Sequence, residues 1–140
     1  MSNLLTRMKF KHIIILILTL IFMSCGKSSF DAKESFELWA NHDVPPDFKI
    51  INGQFWKSPH WSYEYITFLH FKAPTKWIDE FIQLNDLQIA TGNQSLPDDT
   101  PEWFEPKIGQ KVYIEKEFSD GSMYFVNEKT GEVFFYEIQL

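Results

Sequence analysis

Residues 63–84 read YEYITFLHFKAPTKWIDEFIQL, and they contain both of the periodicities from which the domain is built. From Tyr63 to Phe71 the run is aromatic and β-branched, and it is apolar on both faces apart from Glu64, Thr67 and His70. That is the pattern of a strand covered on both sides, so a central position in a sheet is expected. Ala73-Pro74-Thr75 then opens a helix, because proline lacks the amide that a first helical turn leaves unused. Trp77, Ile78, Phe81, Ile82 and Leu84 form one stripe, while Lys76, Asp79, Glu80 and Gln83 form the other, as in a helix lying on a sheet.

Downstream, residues 85–111 contain Gly92, Pro97, Pro101 and Pro106 and exceed the ~12 to 15 residues that structureless connections usually reach. Within them Asp99 or Thr100 can cap a single turn starting at Pro101, which would tuck Trp103 and Phe104 against the fold. Three strands follow, at 112–118, 122–127 and 132–139, joined by Ser119-Asp120-Gly121 and by Glu128-Lys129-Thr130-Gly131. Asp-Gly favours a tight turn and Gly131 can take a positive φ, so an antiparallel meander is expected. Phe125 should face Phe134 or Tyr136, and Tyr124 should face Phe135.

Upstream, Phe48 to Trp56 reads as a strand with a turn or bulge at Asn52-Gly53, or as a short hairpin. Pro45 and Pro46 separate it from a helix over 30–41, in which Ala32, Phe36, Trp39 and Ala40 recur at helical spacing and Ser29 is available as N-cap. The order predicts an α+β domain over 30–140 with two helices. Its sheet is mostly antiparallel, with four to five strands including the C-terminal three-stranded meander.

The first residues have a different character. Arg7, Lys9 and Lys11 precede an apolar block from Ile13 to Met23, and no acidic residue occurs before Asp31. Eleven residues fall well short of the ~20 that cross a bilayer core, and a basic segment followed by a short apolar one is the order of a secretory signal peptide. Phe22-Met23-Ser24-Cys25 resembles the lipobox of bacterial lipoproteins, with Phe22 where Leu is common and Met23 where a small residue is common. The resemblance covers residues 1–26. It implies removal of residues 1–24, a diacylglycerol (and palmitate-type acyl chains) on Cys25, and a lipidated N-terminus with a short tether over 25–29. It also implies a location in the cell envelope, with the membrane as partner through the lipid. Gly26 resembles outer-membrane sorting where a second membrane exists.

Cys25 is the only cysteine, so no intramolecular disulfide is available and packing must hold the fold. The 116 residues from Cys25 onward suffice for one core. Three of the 13 Lys and Arg residues leave with the signal while all 19 Asp and Glu remain, taking the net charge from −6 to −9. Such a chain repels phosphate backbones, so nucleic acid is not an expected partner.

Chemistry leaves little trace. His42, His60 and His70 lie in no nucleophile or metalloprotease motif, and the spacing of His60, Glu64 and His70 is not that of a known metal site. No catalytic residue, metal ligand or cofactor is therefore assigned. Carboxylate pairs such as Asp98-Asp99 and Glu115/Glu117 read as solvated faces.

Aromatics are the unusual feature, with 14 Phe, 5 Trp and 5 Tyr in the chain. Trp56, His60 and Trp61 around Lys57-Ser58-Pro59, and Trp103 with Phe104, are the ones least easily absorbed by a core. Exposed tryptophans in loops suit protein hot spots or stacking on sugars. Trp61 or Trp103 is expected to keep substantial exposure, and the two to lie near each other, since both follow proline-containing loops. The segment Pro101–Pro106 before a Thr-Gly hairpin resembles small envelope proteins of unassigned function, which implies no activity. The expected function is a lipid-anchored, non-enzymatic module that binds a protein partner in an inhibitory, immunity-type or accessory role. An enzyme or carbohydrate-binding domain acting on envelope polysaccharide is the alternative.

Overall fold

The structure, a computed structural model, describes residues 26–60, 63–116 and 121–140. Chain order there is β1 (Lys27–Ser29), α1 (Ala32–Ala40), β2 (Lys49–Lys57), β3 (Tyr65–Lys72), α2 (Thr75–Leu84), β4 (Leu87–Ile89), β5 (Lys111–Glu115), β6 (Met123–Asn127) and β7 (Glu132–Gln139). The strands form one antiparallel sheet in the order β1-β2-β3-β7-β6-β5-β4. Two meanders meet at the β3–β7 pair, which places β3 centrally as its two apolar faces require.

The α+β class and the two helices agree with the expectation, but the sheet has seven strands rather than four to five. The extra strands are β1, in the segment expected to be a tether, and β4, inside the expected long connection. Each is three residues long, too short for an alternating pattern to mark it as a strand. Their cause is the open backbone edges of β2 and β5, which pair with any chain that passes alongside.

The segment around Asn52-Gly53 is one strand with a bulge: the register against β3 shifts between Ile50 and Asn52, which leaves Ile51 as the extra residue, while Asn52 and Gly53 pair regularly with His70 and Leu69. Gly53 lies directly beneath α1. A Cβ there would come within 2.9 Å of both the Ala32 carbonyl oxygen and Ser35 Cβ. The N-cap of α1 is Asp31 and not Ser29: the Asp31 carboxylate accepts from the Glu34 amide at 2.8 Å, while Ser29 Oγ accepts from the Asp31 amide. In α2, Ile78 is buried and Trp77 and Phe81 pack on the core, but Leu84 is exposed.

Both helices cover the same face. Phe36, Trp39, Trp77 and Phe81 pack there in one core with Leu69, and meet Phe71, Tyr124 and Phe135 through a run of edge-to-face and tilted rings. The opposite face is covered by the connection over 90–110. A turn closed by the Phe104 amide donating to the Pro101 carbonyl at 2.9 Å inserts Phe104 between Phe68, Phe125 and Phe134. In the meander Phe125 faces Phe134 and Tyr124 faces Phe135, as expected. Gly131 takes φ +69° in the last turn, and its carbonyl accepts from the Ala73 amide at 3.0 Å. Ser119 and Asp120 of the other expected turn lie outside the described residues, as do residues 1–25. Among the described residues no helix is long and apolar enough to cross a membrane.

Candidate functional site

Strand alternation decides what reaches the loop-covered face at the β1 side of the sheet. On β2 it presents Gln54 and Trp56, and on β3 Ile66 and Phe68, with Gln54 opposite Phe68 and Trp56 opposite Ile66. The connection over 90–110 covers the β5–β6–β7 part of that face through Leu96, Trp103 and Phe104, and advances toward the β1 side with Asp99. The remaining area is a groove of ≈ 350 Å³ lined by Phe30, Trp56, Ile66 and Phe68, with Ser28, Gln54 and Asp99 supplying the polar groups and Phe55 completing the wall. Phe68, 1 % exposed, belongs both to the groove and to the sealed core beneath Phe104. Phe30 is 79 % exposed and Trp56 42 % exposed. Two large aromatic side chains thus remain in solvent at the rim, Phe30 forgoing most and Trp56 part of the roughly 1.5 to 3 kcal/mol that full burial of a large apolar side chain contributes.

The residues singled out from the sequence separate here. Trp56 lines the groove, and His60 is exposed in the loop that leaves β2. Phe104, at 3 % exposure, is a core residue and offers no surface to a partner. Trp103 is half-buried on the same core, edge-on to Phe104 at 5.8 Å. Trp61 lies outside the described residues, and with it the expected proximity to Trp103. Phe30 was obscured because it reads as the first residue of the helix. It falls off the stripe formed by Ala32, Phe36 and Trp39, and that offset is the sequence signal that could have exposed it. Gln54, Ile66 and Asp99 have no such signal, since their meeting depends on the sheet order.

Polar clusters elsewhere hold the fold together. Glu137 Oε1 accepts from Trp39 Nε1 at 2.9 Å and from the Tyr65 hydroxyl, and Oε2 accepts from the Tyr124 hydroxyl at 3.0 Å. Burial, reinforced by the charge and hydrogen bond of Glu137, pushes the Tyr124 phenol far above its usual range. Tyr113 is pushed up to about 12 by burial and by its hydrogen bond to Glu128, which also pairs with Lys111 at 2.6 Å.

At the other end of β3, His70 lies flat on Phe134 at 4.0 Å and its Nε2 meets Glu132 Oε1 at 3.1 Å. Burial lowers the imidazole pKa, more than its carboxylate partner raises it. Burial alone would raise Glu132, but hydrogen bonds from His70 and Lys107 outweigh it and hold the carboxyl below the usual range. Among the described residues no group of three His, Cys, Asp or Glu side chains is placed to hold a metal ion.

No protein-family description, curated protein or solved structure matches this chain.

Proposed function

We propose that this chain is a lipid-anchored protein of the cell envelope, held by Cys25, whose domain binds a protein partner through the groove between Phe30 and Trp56 without catalysing a reaction. The observation that carries this reading is the asymmetry of the loop-covered face. Most of that face is sealed by Phe104, yet its β1 end leaves two aromatic rings at the rim of an open apolar depression. An apolar pocket rimmed by aromatics is the form a binding hot spot takes, with the partner inserting a large side chain. Trp103 and Phe104 contribute indirectly, by fixing the connection that carries Asp99.

Two experiments test the two halves. Alkynyl-palmitate labelling of cells should mark the wild-type chain and not Cys25→Ala; label that persists in the variant contradicts the anchor. A photo-crosslinking residue at position 56 should give a discrete protein adduct, whereas the same residue at Lys76, exposed on α2 on the opposite face, should give none. Equal adducts at both positions, or none at either, would contradict the groove.

A second reading draws on the concavity of the site and on Gln54 and Asp99 beside the Trp56 indole, an arrangement suited to a sugar ring stacked on the tryptophan. Titration with soluble peptidoglycan and polysaccharide fragments separates the two. A tryptophan fluorescence change that saturates and is lost in Trp56→Ala would favour the carbohydrate ligand.

A further inference from the structure

The described chain begins in contact with the sheet. Gly26 follows Cys25 directly, and a Cβ on it would lie 3.0 Å from the Lys57 carbonyl oxygen and 3.3 Å from Pro59 Cδ. Lys27 already pairs with Lys57 as the first residue of β1. One residue spans at most about 3.6 Å, so little chain separates an acyl group on Cys25 from this end of the sheet.

Basic and aromatic side chains gather at that end. Lys27 is exposed, Lys57 Nζ stands 3.9 Å over the Tyr63 ring, Tyr63 is 53 % exposed, and His60 is exposed in the same loop. Trp56 is the next residue along β2. Glu64 is the only acidic residue between Ile50 and Ile78, in a chain that is otherwise strongly acidic. Tyrosine and lysine together are the residues that settle at the headgroup level of a bilayer, the ring in the interface and the ammonium among anionic phosphates.

We propose that the anchored domain rests on the membrane by this end, with Tyr63 in the headgroup layer and Lys27 and Lys57 against anionic phospholipid. The groove mouth beside Trp56 then opens close to the bilayer surface, which suits a membrane-bound partner. The proposal rests on the lipid-anchor reading and adds an orientation to it.

The test uses the full chain, lipidated in cells, purified and reconstituted in vesicles of phosphatidylethanolamine and phosphatidylglycerol that carry a headgroup-region spin-labelled lipid. Because lipidation consumes the only natural thiol, His60→Cys and Ile108→Cys each take one fluorophore; Ile108 is fully exposed, in the connection near Lys107, whose ammonium reaches Glu132 at the opposite end of the sheet. Position 60 should be quenched several-fold more than position 108, and the difference should shrink with Lys27→Glu, with Tyr63→Ala and at high salt. Equal quenching at both positions, or stronger quenching at 108, overturns the orientation while leaving the anchor intact. Undiminished quenching at position 60 in pure phosphatidylcholine vesicles overturns the role of anionic headgroups. A protein that carries no acyl mass and does not float with the vesicles overturns the anchor and the orientation together.

Discussion

Replacing Phe104 with alanine should destabilise the domain by about 3 to 5 kcal/mol, the range for a large aromatic removed from a core that cannot collapse around the gap. The magnitude follows from the ring's surroundings. Phe104 is 3 % exposed, so nearly its whole transfer contribution, about 1.5 to 3 kcal/mol, is lost. Its ring meets Phe68 at 5.2 Å, Phe134 at 5.5 Å and Phe125 at 6.2 Å, all edge-to-face. Contacts of that geometry add about 0.5 to 1.5 kcal/mol each beyond area, and they are not strictly additive. The sheet beneath is rigid, leaving a cavity that only the connection over 90–110 could close.

Urea unfolding followed by near-ultraviolet circular dichroism measures the loss, and an unchanged denaturant slope would show that the effect is on stability. The same variant should let the connection over 90–110 be cut by protease under native conditions and should broaden the floor of the groove at Phe68. A loss below about 1 kcal/mol, the size of an ordinary surface change, would refute the claim that Phe104 seals this face.

Gly53→Ala should cost about 1 to 3 kcal/mol, because the new methyl would sit 2.9 Å from the Ala32 carbonyl oxygen and force α1 off β2; thermal melts would register it. Tyr124→Phe should cost about 1 to 3 kcal/mol by leaving Glu137 Oε2 without that donor, and an effect near zero in chemical denaturation would mean that the half-buried carboxylate is hydrated instead. His70 has a folded pKa below its unfolded value, so the folded state holds fewer protons and stability falls as the pH drops below about 6.5. Glu132, also depressed when folded, contributes stability that is lost at lower pH still, as its carboxylate is protonated. His70→Gln should therefore flatten the upper part of the acid decline in melting temperature, and a profile unchanged between neutral and mildly acidic pH would contradict the assignment. If the groove binds as proposed, Trp56→Ala should weaken partner binding by about 2 kcal/mol or more, roughly 30-fold, with little effect on the melting temperature.

What the sequence carried and what it hid follow from how far each signal extends along the chain. The run from Tyr63 to Leu84 states its own structure, because a doubly apolar strand and a one-sided helix are patterns within single segments. The C-terminal meander was legible for the same reason, down to the pairing of Phe125 with Phe134. Strands β1 and β4 were not legible, since their pairing is a property of the neighbours' open edges. Asn52-Gly53 left a bulged strand and a hairpin both open, because the glycine serves an approaching helix and that contact lies outside the local sequence; the bulged strand is the one that forms. The groove was half legible. Trp56 stood out as an aromatic with no stripe to join, whereas Phe30 was absorbed into a helix that in fact begins after it. Phe104 stood out equally and proved to be core, because a proline-flanked turn can face inward as readily as outward.

The groove itself offers the most direct test of the function proposed. A photo-crosslinking residue at position 30, introduced into the lipidated chain in living cells, is compared with the same chain carrying Ile66→Glu, which places a charge in the groove without touching the helix-covered face. The account predicts one discrete protein adduct that disappears with Ile66→Glu while the circular dichroism melt stays cooperative. An adduct that survives Ile66→Glu, or the absence of any adduct in a correctly anchored protein, would contradict it.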